Sequence, residues 1–301
     1  MDKYKFRSNL LLLLTAAIWG FAFVAQRVGI KYIGTFTFNG TRFALGALSL
    51  IPLILFFNYK SRVGKAKVIE QQKNRKELYM AGLLSGLCLF IAASLQQIGL
   101  IETTAGKAAF ITGLYIVLVP ILGIFLRQKV GVFTWIGAVT AVVGLYFLSI
   151  NEYFSISKGD LFELVGAFFW AIHILLIDRF SRKVDALKLS CMQFFVCSAL
   201  SMITALAVEN ITLYGICQAG MPILYGGVLS VGVAYTLQVF GQKNASPSHA
   251  ALILSLETVF AALGGYLLLN ERLNTMGIIG CILMFSGMVI SQSHSFFRKD
   301  N

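Results

Sequence analysis

Hydrophobic positions along this chain neither alternate nor keep to one face of a helix. They come as long continuous runs, near 9–28, 36–57, 78–98, 104–126, 133–150, 161–178, 187–208, 221–240, 250–269 and 276–291. Each run is close to the about 20 residues that carry a helix across a ~30 Å hydrocarbon layer. The gaps hold turn or charge signals, such as Lys31-Tyr32-Ile33-Gly34 and Asn244-Ala245-Ser246-Pro247. The pattern predicts an all-α integral membrane protein of about ten transmembrane helices, without strands. Its first run, Leu10 to Ala25, is followed at once by further runs and reads as a retained helix, not a cleaved leader.

Composition strengthens this picture. The chain is 57% hydrophobic and 13% charged, whereas soluble domains carry about 25% charged residues. A mean hydropathy of +0.79 leaves more apolar surface than a soluble fold hides, so the lipid bilayer is the first partner. The net charge of +12 would suggest nucleic acid in a soluble protein. Here its distribution excludes that. Of 25 Lys and Arg, 19 fall in the N-terminus, the 58–77 loop, the later loops on the same side, and the tail. Five fall on the other side (Arg27, Lys31, Lys107, Lys158, Arg272), and Arg42 lies inside a run. The excess puts both termini in the cytoplasm of a multi-pass protein of the cell membrane, with the 151–160 loop outside.

The chain also repeats itself. A shift of 151 lays Trp19 on Trp170 and Arg42 on Gln193; a shift of 142 lays Leu95, Gln96 and Gly99 on Leu237, Gln238 and Gly241, and Ala108-Ala109 on Ala250-Ala251. One residue of slip then matches Gly137 and Gly144 with Gly280 and Gly287. The units are 1–150 and 151–294, with a short tail at 295–301. Five helices each is an odd number, so the second unit enters the membrane from the opposite face. Such inverted-topology pairs are typical of secondary transporters, with the solute near the midplane between repeats.

Five pieces resemble the ten-helix EamA group of the drug/metabolite transporter superfamily. They are Ala16 to Phe21, Arg42-Phe43, Thr103 to Tyr115 running on to Pro120, Ser255-Leu256-Glu257, and Asn270-Glu271-Arg272-Leu273. They cover nearly the whole chain. The resemblance implies movement of amino acids, other metabolites or drugs, mostly outward. Two positions depart from the group's habit. Gln128-Lys129 stands where Gly-Glu is common, and Thr258 where a proline often follows the helix-9 glutamate. The second departure predicts a helix 9 less prone to kink there.

Ionisable and amide side chains inside apolar runs are costly, and so mark functional candidates. Glu257 is the only carboxylate read as lying well inside a run; it is either a proton-exchanging coupling residue or a packing partner. Tyr115 occupies its repeat-related position, so an inverted pair brings phenol and carboxyl to corresponding places around a cavity. Arg42 either forks a solute carboxylate or phosphate or snorkels to cap carbonyls at the interface. His173 is a packing histidine or a proton relay. Gln96, Gln193 and Gln238 tie helices together or face a zwitterionic solute. Trp19, Trp170, Tyr115 and Tyr235 are cavity walls or core. Gly82 and Gly86 read as close helix packing.

There is no HExxH, no GxSxG and no phosphate-cradling glycine loop after a strand, so neither catalysis nor a cofactor or metal is expected. The five cysteines are scattered, with no ligand spacing. The leading expectation is an alternating-access exporter of small organic metabolites, amino acids or related amphipathic solutes, with protons as a further partner. A passive facilitator of the same fold, and a non-transporting membrane subunit or sensor, are the alternatives.

Overall fold

The computed structural model describes residues 3–63, 75–103, 105–128, 130–149, 157–269 and 275–297. Lys129, Asn270 to Leu273, most of the 58–77 loop and most of the 151–160 loop lie outside the described residues. The described residues are helical, with no strand among them. In chain order the elements are α1 (Lys3–Gly29), α2 (Thr35–Val63), α3 (Arg75–Glu102), α4 (Ala105–Gly113), α5 (Tyr115–Phe125) and α6 (Val132–Ser149). Then come α7 (Lys158–Ser181), α8 (Ala186–Val208), α9 (Leu213–Gln218), α10 (Gly220–Leu224), a π-helical stretch (Tyr225–Tyr235), α11 (Thr236–Gln242), α12 (Pro247–Leu254), α13 (Glu257–Leu269) and α14 (Thr275–Phe297).

Eight spans among the described residues are long and apolar enough to cross a membrane. They are α1, α2, α3, α7, α8, the pair α4 and α5 (Ala105–Phe125), the run Gly220–Gln242, and the pair α12 and α13 (Pro247–Leu269). Two more apolar stretches, Val132–Phe147 and Ile278–Ser291, are shorter. Burial is inverted relative to a soluble protein. Leu55, Phe125, Phe195, Leu206 and Ile282 face outward, while Asn39, Gln97, Gln193, Gln242 and Glu257 are buried. Lipid is the outer solvent, and the amides find partners only inside the bundle.

Small residues bring the helices together. Gly82 of α3 packs on Met192 of α8, and Gly86 on Val196. At the seam between α6 and α14, glycines let the two backbones touch. A Cβ on Gly137 would lie 2.5 Å from the Gly287 carbonyl, and one on Gly144 would lie 2.7 Å from the Gly280 carbonyl. The rising number on one helix meets the falling number on the other, so the two run antiparallel.

Two spans are interrupted. One breaks at Leu114, between α4 and α5, and the other at Ser255-Leu256, between α12 and α13. The expectation that helix 9 is less prone to kink where Thr258 replaces the proline is therefore corrected: the helix is interrupted just before it. Ser255 Oγ donates to the Leu252 carbonyl at 2.9 Å, and the Leu256 and Thr258 amides reach back only three residues, to Ile253 and Ser255. Such side-chain bonding to nearby carbonyls competes with the helical ladder. The Thr258 hydroxyl, in the proline's place, donates to the Ala109 carbonyl of α4 at 3.0 Å and pins the break there.

The π-helical stretch packs against α1. There the Trp19 indole donates to the Ser230 carbonyl at 3.3 Å, and the Thr15 hydroxyl to the Ala234 carbonyl at 3.1 Å.

Candidate functional site

The sequence candidates converge on one buried cavity. Trp19, Arg42, Gln96, Tyr115, Trp170, Tyr235, Gln238 and Glu257 line it, together with Ala22, Phe23, Gln26, Thr112, Ile174 and Ser230, around a narrow space of about 30 Å³. Its walls come from α1, α2, α3, both halves of the broken span α4–α5, α7, the π-helical stretch with α11, and α13. One wall is aromatic. Tyr235 lies 4.5 Å from Trp19 and 6.1 Å from Trp170, centroid to centroid, with Phe43 and Phe194 behind it.

The one phenol–carboxyl pair of the lining sits where the backbone breaks. Glu257 is the first residue of α13 and Tyr115 the first of α5, and the Tyr115 hydroxyl donates to Glu257 Oε1 at 2.9 Å. Each lies just past its break, 142 residues apart. Gly20 lets α1 approach this point, since a Cβ there would sit 2.7 Å from the Glu257 carbonyl. A helix start with its carboxyl inside protein has backbone N–H groups to temper its charge.

Arg42 is 2% exposed, so it does not snorkel to an interface. Its Nε donates to Asn39 Oδ1 at 3.0 Å, and Asn39 in turn donates to the Ala93 carbonyl at 3.1 Å. The guanidinium carbon lies 5.0 Å from the Phe43 ring centroid and 5.5 Å from that of Phe38. Among the described residues it forms no ion pair. A buried cation without a counter-charge, held by one amide and two rings, is poised for an anionic group.

Other lining atoms are also left open. Trp170 Nε1, Gln238 Oε1 and Gln26 Oε1 are buried without a hydrogen-bond partner among the described residues. Together they offer one donor and two acceptors.

Two candidates stay outside the lining. His173 and Gln193 face each other behind the aromatic wall, with His173 Nε2 2.9 Å from Gln193 Oε1. The imidazole stands edge-on to both Trp170 and Tyr235. Both residues are fully buried, which fits packing of that wall.

Sequence reading passed over Thr112, Gln26 and Ser230 in the lining, and a second buried carboxylate. Glu163 of α7 is 0% exposed, and Thr112 Oγ1 donates to its Oε2 at 3.0 Å. It lies near the start of the run 161–178, and the expectation that Glu257 is the only carboxylate well inside a run is corrected here. Beyond it lies a tight cluster. Lys107 Nζ is 2.6 Å from Asp160 Oδ2, Thr103 donates to Asp160 Oδ1 at 3.1 Å, and Asp160 caps its own helix with Ser157. Arg27 donates to the Leu100 and Thr103 carbonyls beside it.

Comparison with known proteins bears on the whole chain. The family model described as EamA-like transporter family matches residues 6–150 and again 157–292. An "uncharacterized transporter" of Archaeoglobus fulgidus is 30% identical over 293 residues, covering 94% of this chain and 85% of that protein. The uncharacterized transporter YoaV of Bacillus subtilis is 25% identical over 94% of this chain and 95% of its own. One solved crystal structure superposes with a TM-score of 0.77 over 97% of this chain and 99% of that one, at 16% identity, which shows a shared fold.

Proposed function

Because this chain belongs to the EamA-like transporter family, and so is a multi-pass membrane transporter, we propose that it exports a small amphipathic metabolite by alternating access through the cavity around Arg42 and Glu257. The observation that carries the reading is the pairing of opposite chemistries in one buried aromatic cavity. A guanidinium without a counter-charge and a carboxyl held by one phenol both line it. An amino acid, or a solute of that kind, brings a carboxylate for the first and an ammonium for the second. Its apolar part suits the Trp19, Trp170 and Tyr235 faces.

On this reading the two shorter apolar stretches also cross the membrane, making ten helices in two inverted units, 1–150 and 151–294. Support comes from contacts that a twofold exchange of the units maps onto one another. The pair Gly137–Gly287 maps onto Gly280–Gly144, and Tyr115–Glu257 maps onto itself. The family model's double match, to 6–150 and 157–292, falls on the same division. Exchange of conformations between such units opens a central site to one side and then the other. Glu257 takes up and releases the proton that drives the cycle, and both termini are cytoplasmic.

Purified protein in lipid vesicles tests the transport reading. Counterflow of at least one labelled L-amino acid is expected, weakened by Arg42→Gln. Movement of none, or equal movement by Arg42→Gln, overturns it. Orientation is checked with single cysteines at Lys65 and Ser155, both outside the described residues. An impermeant thiol reagent applied to intact cells labels Ser155→Cys alone; labelling of Lys65→Cys alone reverses the assignment.

A further inference from the structure

Glu163 stands one hydrogen-bond step from the cavity yet outside its lining. Gln96 Nε2 donates to Thr112 Oγ1 at 3.3 Å, and Thr112 Oγ1 donates to Glu163 Oε2 at 3.0 Å. Gln96 and Thr112 line the cavity, and Glu163 does not. Its other oxygen, Oε1, is buried without a hydrogen-bond partner among the described residues. It is pressed toward the α3 backbone, where a Cβ on Gly99 would lie 2.7 Å from it. The nearby cation, Lys107, is engaged by Asp160, and Glu163 forms no ion pair among the described residues. Buried charges are ordinarily paired or neutralised. Here the group that fits is a proton.

We propose that Glu163 is a proton-binding site, distinct from Glu257, that sets whether the Thr112 hydroxyl offers the cavity a hydrogen. A threonine hydroxyl has one hydrogen and two lone pairs, and an ionised carboxylate only accepts. With Glu163 ionised, the Thr112 hydrogen is spent on Oε2, and the cavity meets no donor there. When a proton binds Glu163, its carboxyl O–H donates to Thr112 Oγ1. Thr112 then accepts from both Gln96 and Glu163, and its hydrogen turns into the cavity. No bond other than the O–H of the carboxyl forms.

A solute acceptor beside Thr112 is held better in the second state, so proton and solute raise each other's affinity by the same factor. The proton reaches Glu163 from the cluster one turn earlier on α7, where half-buried Lys107 meets the surface beside the buried Asp160. Ionisable groups on the elements packed against α7 at this level are Glu102 of α3, Lys107 of α4 and Tyr115 of α5. Glu257 lies across the cavity. There is none on α11, and His249 of α12 is turned to Asn9 and Ser291.

The role for the solute rests on the transport reading above; proton binding does not. Infrared difference spectra of the full-length protein in lipid, recorded across a pH titration, test it without any solute. Two titrating buried-carboxyl bands are expected, one lost in Glu163→Gln and the other in Glu257→Gln. Thr112→Val should keep the Glu163 band at a changed frequency, and Thr112→Ser should restore the original. If Glu163→Gln removes no titrating band, or Thr112→Val leaves that band where it was, the proposal is wrong. In vesicles, Thr112→Val should abolish the pH dependence of L-amino acid affinity, while Thr112→Ser keeps it. A pH dependence unchanged in Thr112→Val overturns the link to the cavity. An absence of all transport with the bands as expected overturns the transport reading alone.

Discussion

The two halves of the chain meet at two kinds of place, and the two are built in opposite ways. At the α6–α14 seam they meet through missing side chains: Gly137 lies against Gly287, and Gly144 against Gly280. At the interrupted spans they meet through chemistry, where the Tyr115 hydroxyl donates to Glu257. The Tyr115–Glu257 contact joins positions related by the internal repeat, and the two glycine contacts at the seam are related to each other by it. At the seam the related positions carry the same residue; at the breaks they carry different ones. Close backbone contact admits only glycine, so the seam has stayed symmetric in kind. A cavity needs unlike groups to hold an unlike-ended solute, and there the repeat has diverged.

The sharpest way to break the comparison is at the seam. Gly144→Leu puts a side chain where the Gly280 carbonyl and the Met284 amide lie 2.7 and 2.8 Å from a first carbon. Backbone cannot yield there as a flexible side chain can, so the cost should be at the upper end of about 1–3 kcal/mol or beyond it. Loss of the monodisperse peak in detergent size exclusion, or a clearly lower unfolding midpoint, is the expected result. A normal peak and midpoint would mean that the seam is looser than described.

At the breaks the expected damage is to function. Glu257→Gln keeps the hydrogen bond from Tyr115 and the volume, so the protein should reach the membrane and fold. Accumulation driven by a pH gradient should fall by roughly tenfold or more, equivalent to about 1.4 kcal/mol, while exchange between two loaded compartments continues. Survival of uphill transport in this variant removes Glu257 as the coupling group.

How much of this was legible in the sequence follows the same division. The runs of apolar residues place every long span, because length and hydropathy are properties of a segment alone. Glu257, Arg42 and the paired Trp19 and Trp170 stood out because each is an exception within a run or an echo between runs. What escaped was decided by neighbours in space. Thr112 hardly dents hydropathy, and its importance comes from Gln96 on one side and Glu163 on the other. Glu163 is near its run's polar end, and it is α3 and α4 packed over it that make it fully buried. His173 and Gln193 carried the same signal as Gln96, yet they pair with each other behind the wall. The helix-9 break was missed because proline was taken as its cause, whereas Ser255 and Thr258 make it with their hydroxyls.

Arg42 sharpens the contrast from the first half of the chain, since its repeat partner, Gln193, is uncharged and does not line the cavity. Arg42→Lys retains the charge and removes the planar fork. A lost charge-assisted hydrogen bond is worth about 1.5–3 kcal/mol, so the affinity for carboxylate-bearing solutes should drop roughly ten- to hundredfold. Solutes lacking a carboxylate should be unaffected. Equal weakening of both classes, measured by competition in the counterflow assay, would make Arg42 a support for Phe38 and Phe43 instead.

The smallest effect should come from the other member of the central pair. Tyr115→Phe removes one hydroxyl from Glu257 and leaves the ring to fill the same space beside the break. A single hydrogen bond contributes about 1 kcal/mol net, so transport should fall about fivefold with folding unchanged. That value alone says little, because many cavity variants cost as much. The informative quantity is the coupling between the two residues. If Tyr115 acts by holding Glu257, Tyr115→Phe should have little further effect in a Glu257→Ala background, which has no acceptor left to hold, giving a clear interaction energy in the double-mutant cycle. Additive losses would show instead that phenol and carboxyl touch the solute separately. The contact across the repeat would then be a consequence of the fold, with no part in the transport step.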